Sequence, residues 1–145
     1  MKPKKETLLE IARNLVGTPY LYGAEPKENP KNVDCSGFIQ LIYKLIGFKL
    51  ERSTIRQAAF NGKEVPLTQS PKKTLEVGDL LFFRGRQGHY KDDYFPDRKI
   101  YIGHMVIYSG DNKVIHACSR YGVIEEGLEN IIKSHGPVVM IKRII

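Results

Sequence analysis

Among the side chains of this 145-residue sequence, Cys35, His104 and His116 have the types and spacing to carry nucleophilic chemistry together. Cys35 follows Asp34 and opens the run Ser36-Gly37-Phe38-Ile39-Gln40-Leu41-Ile42-Tyr43, whose apolar residues cover most of a helical circumference. Asp34 is a favoured N-cap and Gly47 a favoured stop, which places Cys35 in the first turn of a buried helix. A thiol attacks as its thiolate, yet a free cysteine titrates at roughly 8.5. The unpaired N–H groups and positive dipole end of a first turn favour a negative sulfur, and the same N–H groups are placed to hold an oxyanion. The plain alternative is a small buried core residue, the usual setting of a free cysteine.

Two short apolar runs, residues 104–108 and 113–118, flank Ser109-Gly110-Asp111 and predict a hairpin. If Tyr108 pairs with Asn112 across that three-residue turn, His104 lies directly opposite His116 on one face, with Cβ atoms about 4.5–5.5 Å apart. That geometry suits a base and its orienting partner: His104 takes the proton of Cys35, and His116 fixes the tautomer and ring plane of His104. A slip of one residue would put the rings on opposite faces. The plain alternative is two unrelated strand histidines. Cys118 shares the face of His116 and could join both histidines on a metal, but three ligands without supporting partners are a weak signal. No metal and no cofactor are expected, and Cys118 is expected to pack beneath the site. His89 and His135 fall in polar stretches and are expected at the surface.

The elements that must position these groups follow from periodicity. Leu8, Leu9, Ile11, Ala12, Leu15 and Val16 recur at helical spacing over residues 5–16, with Gly17 as terminator. Residues 18–33 form a loop that begins with Tyr20 and Tyr22. A third short helix is predicted from Ser53 and Thr54 to about Phe60, with Thr54 and Gln57 at capping-box spacing. Beyond Pro66 the chain reads as strands at 79–84, 104–108, 113–118 and 138–145, with a long surface excursion over 85–102. Helices before strands predict an α+β fold, its N-terminal helices packed on a mostly antiparallel β-sheet, in a single domain spanning 1–145.

Composition narrows the classes. At 41% apolar and 27% charged residues the chain can build a core, and its apolar runs are too short for a membrane span. The net charge of +7 favours polyanionic surroundings, but the basic residues are scattered rather than striped with aromatics, so no nucleic-acid partner is expected. Two cysteines do not make a disulfide scaffold.

Six motifs in order resemble the NlpC-type bacterial cell-wall cysteine peptidases: Gly17-Thr18-Pro19-Tyr20-Leu21-Tyr22-Gly23, Asp34-Cys35-Ser36-Gly37-Phe38, Arg52-Ser53-Thr54, Gly78-Asp79-Leu80-Leu81-Phe82-Phe83, His104 through Gly110, and Ile115-His116-Ala117. The resemblance implies a papain-like fold and hydrolysis of peptidoglycan stem peptides, typically between γ-D-glutamate and the following diamino acid. It implies a triad of Cys35, His104 and His116, with Tyr20 polarising the substrate carbonyl and Asp34 and Ser36 holding the free amine of L-alanine. The 69-residue separation of Cys35 from His104 exceeds the family's usual spacing because of the 85–102 excursion. That excursion, with Tyr90, Tyr94, Phe95 and Arg98, is expected to wall the substrate groove. A monomer is expected, in an extracytoplasmic or secreted setting by resemblance, although the first residues lack a signal-peptide pattern and leave a cytoplasmic setting open. Two other readings remain: an amidase or acyltransferase with the same triad, and a non-catalytic basic binding module.

Overall fold

The computed structural model describes residues 3–67, 74–85, 88 and 93–145. Helix α1 (Lys4–Asn14) is followed by α2 (Cys35–Lys44), α3 (Thr54–Phe60) and β1 (Lys63–Val65). Then come β2 (Leu80–Phe83), β3 (His104–Gly110), β4 (Lys113–Cys118), β5 (Gly122–Gly127), α4 (Leu128–His135) and β6 (Val138–Arg143). The strands form one antiparallel sheet in the order β1-β6-β2-β3-β4-β5. The predicted α+β class, helices first, is what the chain adopts. Three elements, β1, β5 and α4, are additions to the sequence reading.

Alternation along the strands sorts the core onto two faces. Leu80, Phe82, Met105, Ile107, Ile115 and Ala117 meet Phe38, Ile39 and Ile42 of α2. Leu81, Phe83, Val106 and Val114 meet Leu128 and Ile131 of α4 on the other side. Phe38, Ile39, Leu41, Ile42 and Tyr43 are all at most 2% exposed. Each such burial contributes about 1.5–3 kcal/mol, so α2 is the best-anchored helix. The Tyr43 hydroxyl donates to the Gly78 carbonyl, and Asp79, fully buried, accepts two bonds from Arg143, fastening β2 to β6.

The β3–β4 hairpin departs from the predicted register. Tyr108 pairs with Val114 and Ile107 with Ile115, because the turn is the two-residue Asp111-Asn112, with an irregularity between Tyr108 and Gly110. Both turn residues have positive φ, 52° and 60°, a conformation that Asp and Asn tolerate and that matches strand twist. The pairing is thus offset by two residues from the expected one. An even offset preserves the face, so His104 and His116 are diagonal rather than directly opposed neighbours, still within reach for long or aromatic side chains.

The 85–102 excursion also differs from expectation. Phe95, Ile100 and Ile102 are buried in the cluster that α2 joins. The Tyr94 hydroxyl accepts from Arg56 at 2.9 Å, and Arg98 is bidentate on Glu64 of β1. Apolar burial has turned Phe95 inward, while Tyr94 and the exposed Arg98 brace α3 and the β1 edge. None of the three lines the Cys35 cleft, which Ile102 at the end of the excursion does border. Tyr90 and His89 lie outside the described residues.

Candidate active site

Cys35 is the first residue of α2, and the sequence sets it there through its neighbour. Asp34 caps the helix, Oδ1 accepting from Gly37 N at 2.7 Å. Any Cβ at position 37 would sit 2.8 Å from that oxygen and 3.4 Å from the Arg52 guanidinium, which explains the glycine. Oδ2 of Asp34 accepts from Gly23 N at 3.0 Å and Arg52 Nη2 at 2.8 Å, while Arg52 Nη1 donates to Oδ1 at 3.1 Å and to Ser36 Oγ at 2.9 Å. These donors, led by Arg52, hold the Asp34 carboxyl below its ordinary range although burial opposes them. Asp34, Ser36 and Arg52 thus form a closed polar cluster beside the sulfur.

The thiol is half-buried and desolvation pushes its pKa up, with the Asp34 charge adding to the rise. The Thr54 hydroxyl, 3.4 Å from Sγ, and the backbone N–H groups of Ser36 and Met105 act the other way. Ser53 rather than Thr54 caps α3, its Oγ accepting from Arg56 N. That leaves the Thr54 hydroxyl to face the sulfur. Gln57, expected in a capping box, instead donates through Nε2 to the Ser36 carbonyl and ties α3 to the start of α2.

The histidines stand on the opposite sheet face, the one α4 covers, by alternation with Val106 and Val114. His104 Nε2 lies 2.9 Å from His116 Nδ1, with ring centroids 5.0 Å apart and nearly perpendicular. Burial, then the His116 and His135 charges, holds the His104 pKa well below its ordinary value. Burial likewise lowers that of His116, against a rise from Glu126. The two rings are therefore neutral bases near neutral pH. His135, expected at the surface, is half-buried at the end of α4 and stacks on His104 at 4.5 Å. Sequence reasoning missed it, and Glu126, because neither α4 nor β5 was recognised.

Tyr20 borders two adjoining hollows: a cleft of about 740 Å³ containing Cys35, and one of about 360 Å³ containing His104 and His116. Burial, and then the Cys35 and Asp34 charges, pushes its phenol up to about 12, so it is a firm hydrogen-bond donor at neutral pH. Its loop is pinned by Val123 N to Thr18 O and Gly17 N to Val123 O, both 2.9 Å. The Met105 backbone, one residue after His104, helps lower the Cys35 pKa, while Cys35 and the two histidines border separate hollows that meet at Tyr20. Cys118, expected beneath the site, is half-buried and lines the smaller hollow. Among the described residues no cluster of His, Cys, Asp or Glu could hold a metal ion.

A cysteine opening a central helix, against a sheet carrying two hydrogen-bonded histidines, is papain-like in plan. Residues 17–135 match the NlpC/P60 family, and the chain belongs to it. A "Probable endopeptidase" of Haemophilus influenzae is 33% identical over 124 residues, covering 85% of this chain and 65% of that protein. The gamma-D-glutamyl-L-lysine dipeptidyl-peptidase of Bacillus subtilis is 32% identical over 116 residues, 80% of this chain but 33% of that one. The chain thus spans less than two thirds of the length of either relative. An NlpC/P60 family protein of Bacillus cereus superimposes with a TM-score of 0.73 at 26% identity, over 99% of this chain and 41% of that one. RipD of Mycobacterium tuberculosis, a non-catalytic NlpC/p60 domain protein, superimposes with a TM-score of 0.70 at 17% identity over the whole of both chains.

Proposed function

We propose that this chain is a cysteine peptidase acting on peptidoglycan stem peptides, at the bond between γ-D-glutamate and the following diamino acid. The observation that carries this reading is the His104 Nε2 to His116 Nδ1 hydrogen bond, in a hollow that shares Tyr20 with the cleft of the helix-opening thiol. With Nε2 engaged, His104 has Nδ1 left to serve as base. Family membership and the activity named for the Bacillus subtilis relative support the substrate class.

In this reading the Cys35 S–H bond breaks, its proton passes to His104 Nδ1, and the thiolate attacks the γ-carbonyl carbon. The carbonyl electron pair moves to oxygen, where the Tyr20 hydroxyl and first-turn N–H groups stabilise it. Collapse expels the diamino acid's amine, which takes the proton from His104 and leaves a thioester. Water, giving its proton to His104, then releases the glutamyl acid and restores the thiol. Because the thiol pKa is raised and that of His104 lowered, the resting pair is neutral and separates charge only on attack. Asp34 and Ser36 are assigned to the amino end of the peptide. Arg52 already neutralises Asp34, so an ammonium gains less there than it would from an isolated carboxylate.

The test is incubation of defined stem tripeptides with the protein and identification of products by mass spectrometry, with Cys35→Ala as control. Cleavage elsewhere, or transfer to another acceptor, supports the amidase or acyltransferase reading. A non-catalytic wall-binding role has the RipD likeness of fold on its side, and binding without turnover supports it.

A further inference from the structure

The chain of hydrogen bonds that begins at His104 does not end at His116. His116 Nε2 lies 2.6 Å from Oε2 of Glu126 on β5. Strand register explains the meeting: His116 pairs with Ile124, and Glu126 is two residues further along the same face. The His116 side chain is 1% exposed and that of Glu126 23%, so the contact is sheltered while the carboxylate keeps some water. Resting on the reading of His104 as base, we propose that Glu126 is a positioning residue that sets the tautomers of both histidines and so presents the His104 lone pair at Nδ1.

The direction of every bond follows from the carboxylate. Ionised Glu126 only accepts, so neutral His116 must carry its proton on Nε2 and its lone pair on Nδ1. His104 Nε2 must then donate across the 2.9 Å contact, and the lone pair of neutral His104 falls on Nδ1. One acidic side chain thereby orients two rings. When the Cys35 S–H bond breaks, its electron pair stays on sulfur and the proton goes to His104 Nδ1. The cation formed on His104 is then linked through His116 to an anion. Among the described residues, His104 from β3, Glu126 from β5 and His135 from α4, whose ring centroid is 6.4 Å away, approach His116, and Tyr20, Cys118, Arg120 and Tyr121 border the same hollow.

The decisive variant is Glu126→Gln, which keeps the shape but offers an amide N–H. The amide can meet His116 Nε2 with its N–H or with its oxygen; where the N–H pairs with a Nε2 lone pair, both bonds reverse and the His104 proton moves onto Nδ1, where it blocks proton uptake. Ring-nitrogen NMR of the ¹⁵N-labelled full chain reads the tautomers directly, with no substrate. Near-neutral alkylation of Cys35 by iodoacetamide and steady-state cleavage of a stem tripeptide complete the set. The expected result is a population of Nδ1–H tautomers, slower alkylation, and a kcat lowered about 10- to 100-fold with KM changed by less than about 2-fold. Glu126→Asp, which restores an acceptor, should recover part of that loss. Unchanged tautomers, alkylation and kcat in both folded Glu126→Gln and folded Glu126→Leu, which offers His116 no acceptor at all, overturn the proposal. If the native chain leaves stem peptides uncut while Glu126→Gln still switches the tautomers, the hydrolase reading falls and the positioning role stands.

Discussion

At the sulfur end of the cleft charge is answered by charge, while at the imidazole end rings are packed on rings. Asp34, 6% exposed, is held by Arg52 and by the backbone N–H groups of Gly23 and Gly37, which keep its carboxyl ionised. His104, 8% exposed, is bonded to one imidazole and stacked on another, and burial keeps it neutral. The first cluster resists reorganisation because every partner is already engaged. In the proposed mechanism the second accepts the proton, with the Glu126 carboxyl group one ring away. A thiol whose pKa is raised by burial and by Asp34 depends, in that mechanism, on the imidazole end for its activation.

The largest effects should come from the reacting atoms, whichever end they occupy. Cys35→Ala and His104→Ala should each lower kcat on a stem tripeptide by about 10³-fold or more, and the double variant should be no worse than the worse single one. Steady-state kinetics with circular dichroism to confirm folding checks this. A His104→Ala chain retaining a tenth of native turnover would break the symmetry and remove His104 from the base role.

Next come the two ends' contributions to stability, which differ in their pH windows. The imidazoles have folded pKa values below the ordinary 6.5, so the unfolded chain binds more protons in acid. Their contribution is complete above 6.5 and is lost as pH falls from there towards the folded values. Asp34, lowered from 3.8, contributes above that value and loses its share only as pH falls through the lower folded one. Urea unfolding across pH should therefore decline in two stages. Arg52→Met leaves a buried carboxylate short of a partner, and the partial exposure of Arg52 limits the cost to about 1–3 kcal/mol near neutrality. That loss should shrink in strong acid, where Asp34 is protonated, while the higher-pH stage stays unchanged.

The same division governs what could be read without coordinates. The sulfur end is contiguous in sequence: an N-cap, a cysteine and an apolar helix occupy adjacent positions, and local rules suffice. Strands rich in Leu, Phe, Val and Ile were equally plain. The three-residue, largely exposed β1 and the Glu-containing β5 show no apolar alternation, and the eight-residue α4 is too short for a strong period. Glu126 and His135 were hidden with them. The hairpin register required knowing that Asp111 and Asn112 would both take positive φ, and Ser109-Gly110 was the more obvious turn. The imidazole pairing survived that error only because the offset was even.

The smallest effect, and the sharpest probe of how little the sulfur end does for its own nucleophile, is expected at Thr54. Its hydroxyl is 3.4 Å from Sγ, and Ser53 performs the helix cap, so the two roles can be separated. Thr54→Val removes the hydroxyl with little change of shape. If that hydroxyl donates to the thiolate, its loss should raise the pH midpoint of iodoacetamide alkylation by about half a unit to one unit, equivalent to about 0.7–1.4 kcal/mol. Thermal stability should hardly move. Ser53→Ala should do the reverse, costing about 1 kcal/mol of stability through the lost cap and leaving the alkylation midpoint in place. A midpoint that falls in Thr54→Val would mean that the hydroxyl accepts from the thiol and restrains it, which would place all activation of Cys35 at the imidazole end and on the N–H groups of Ser36 and Met105.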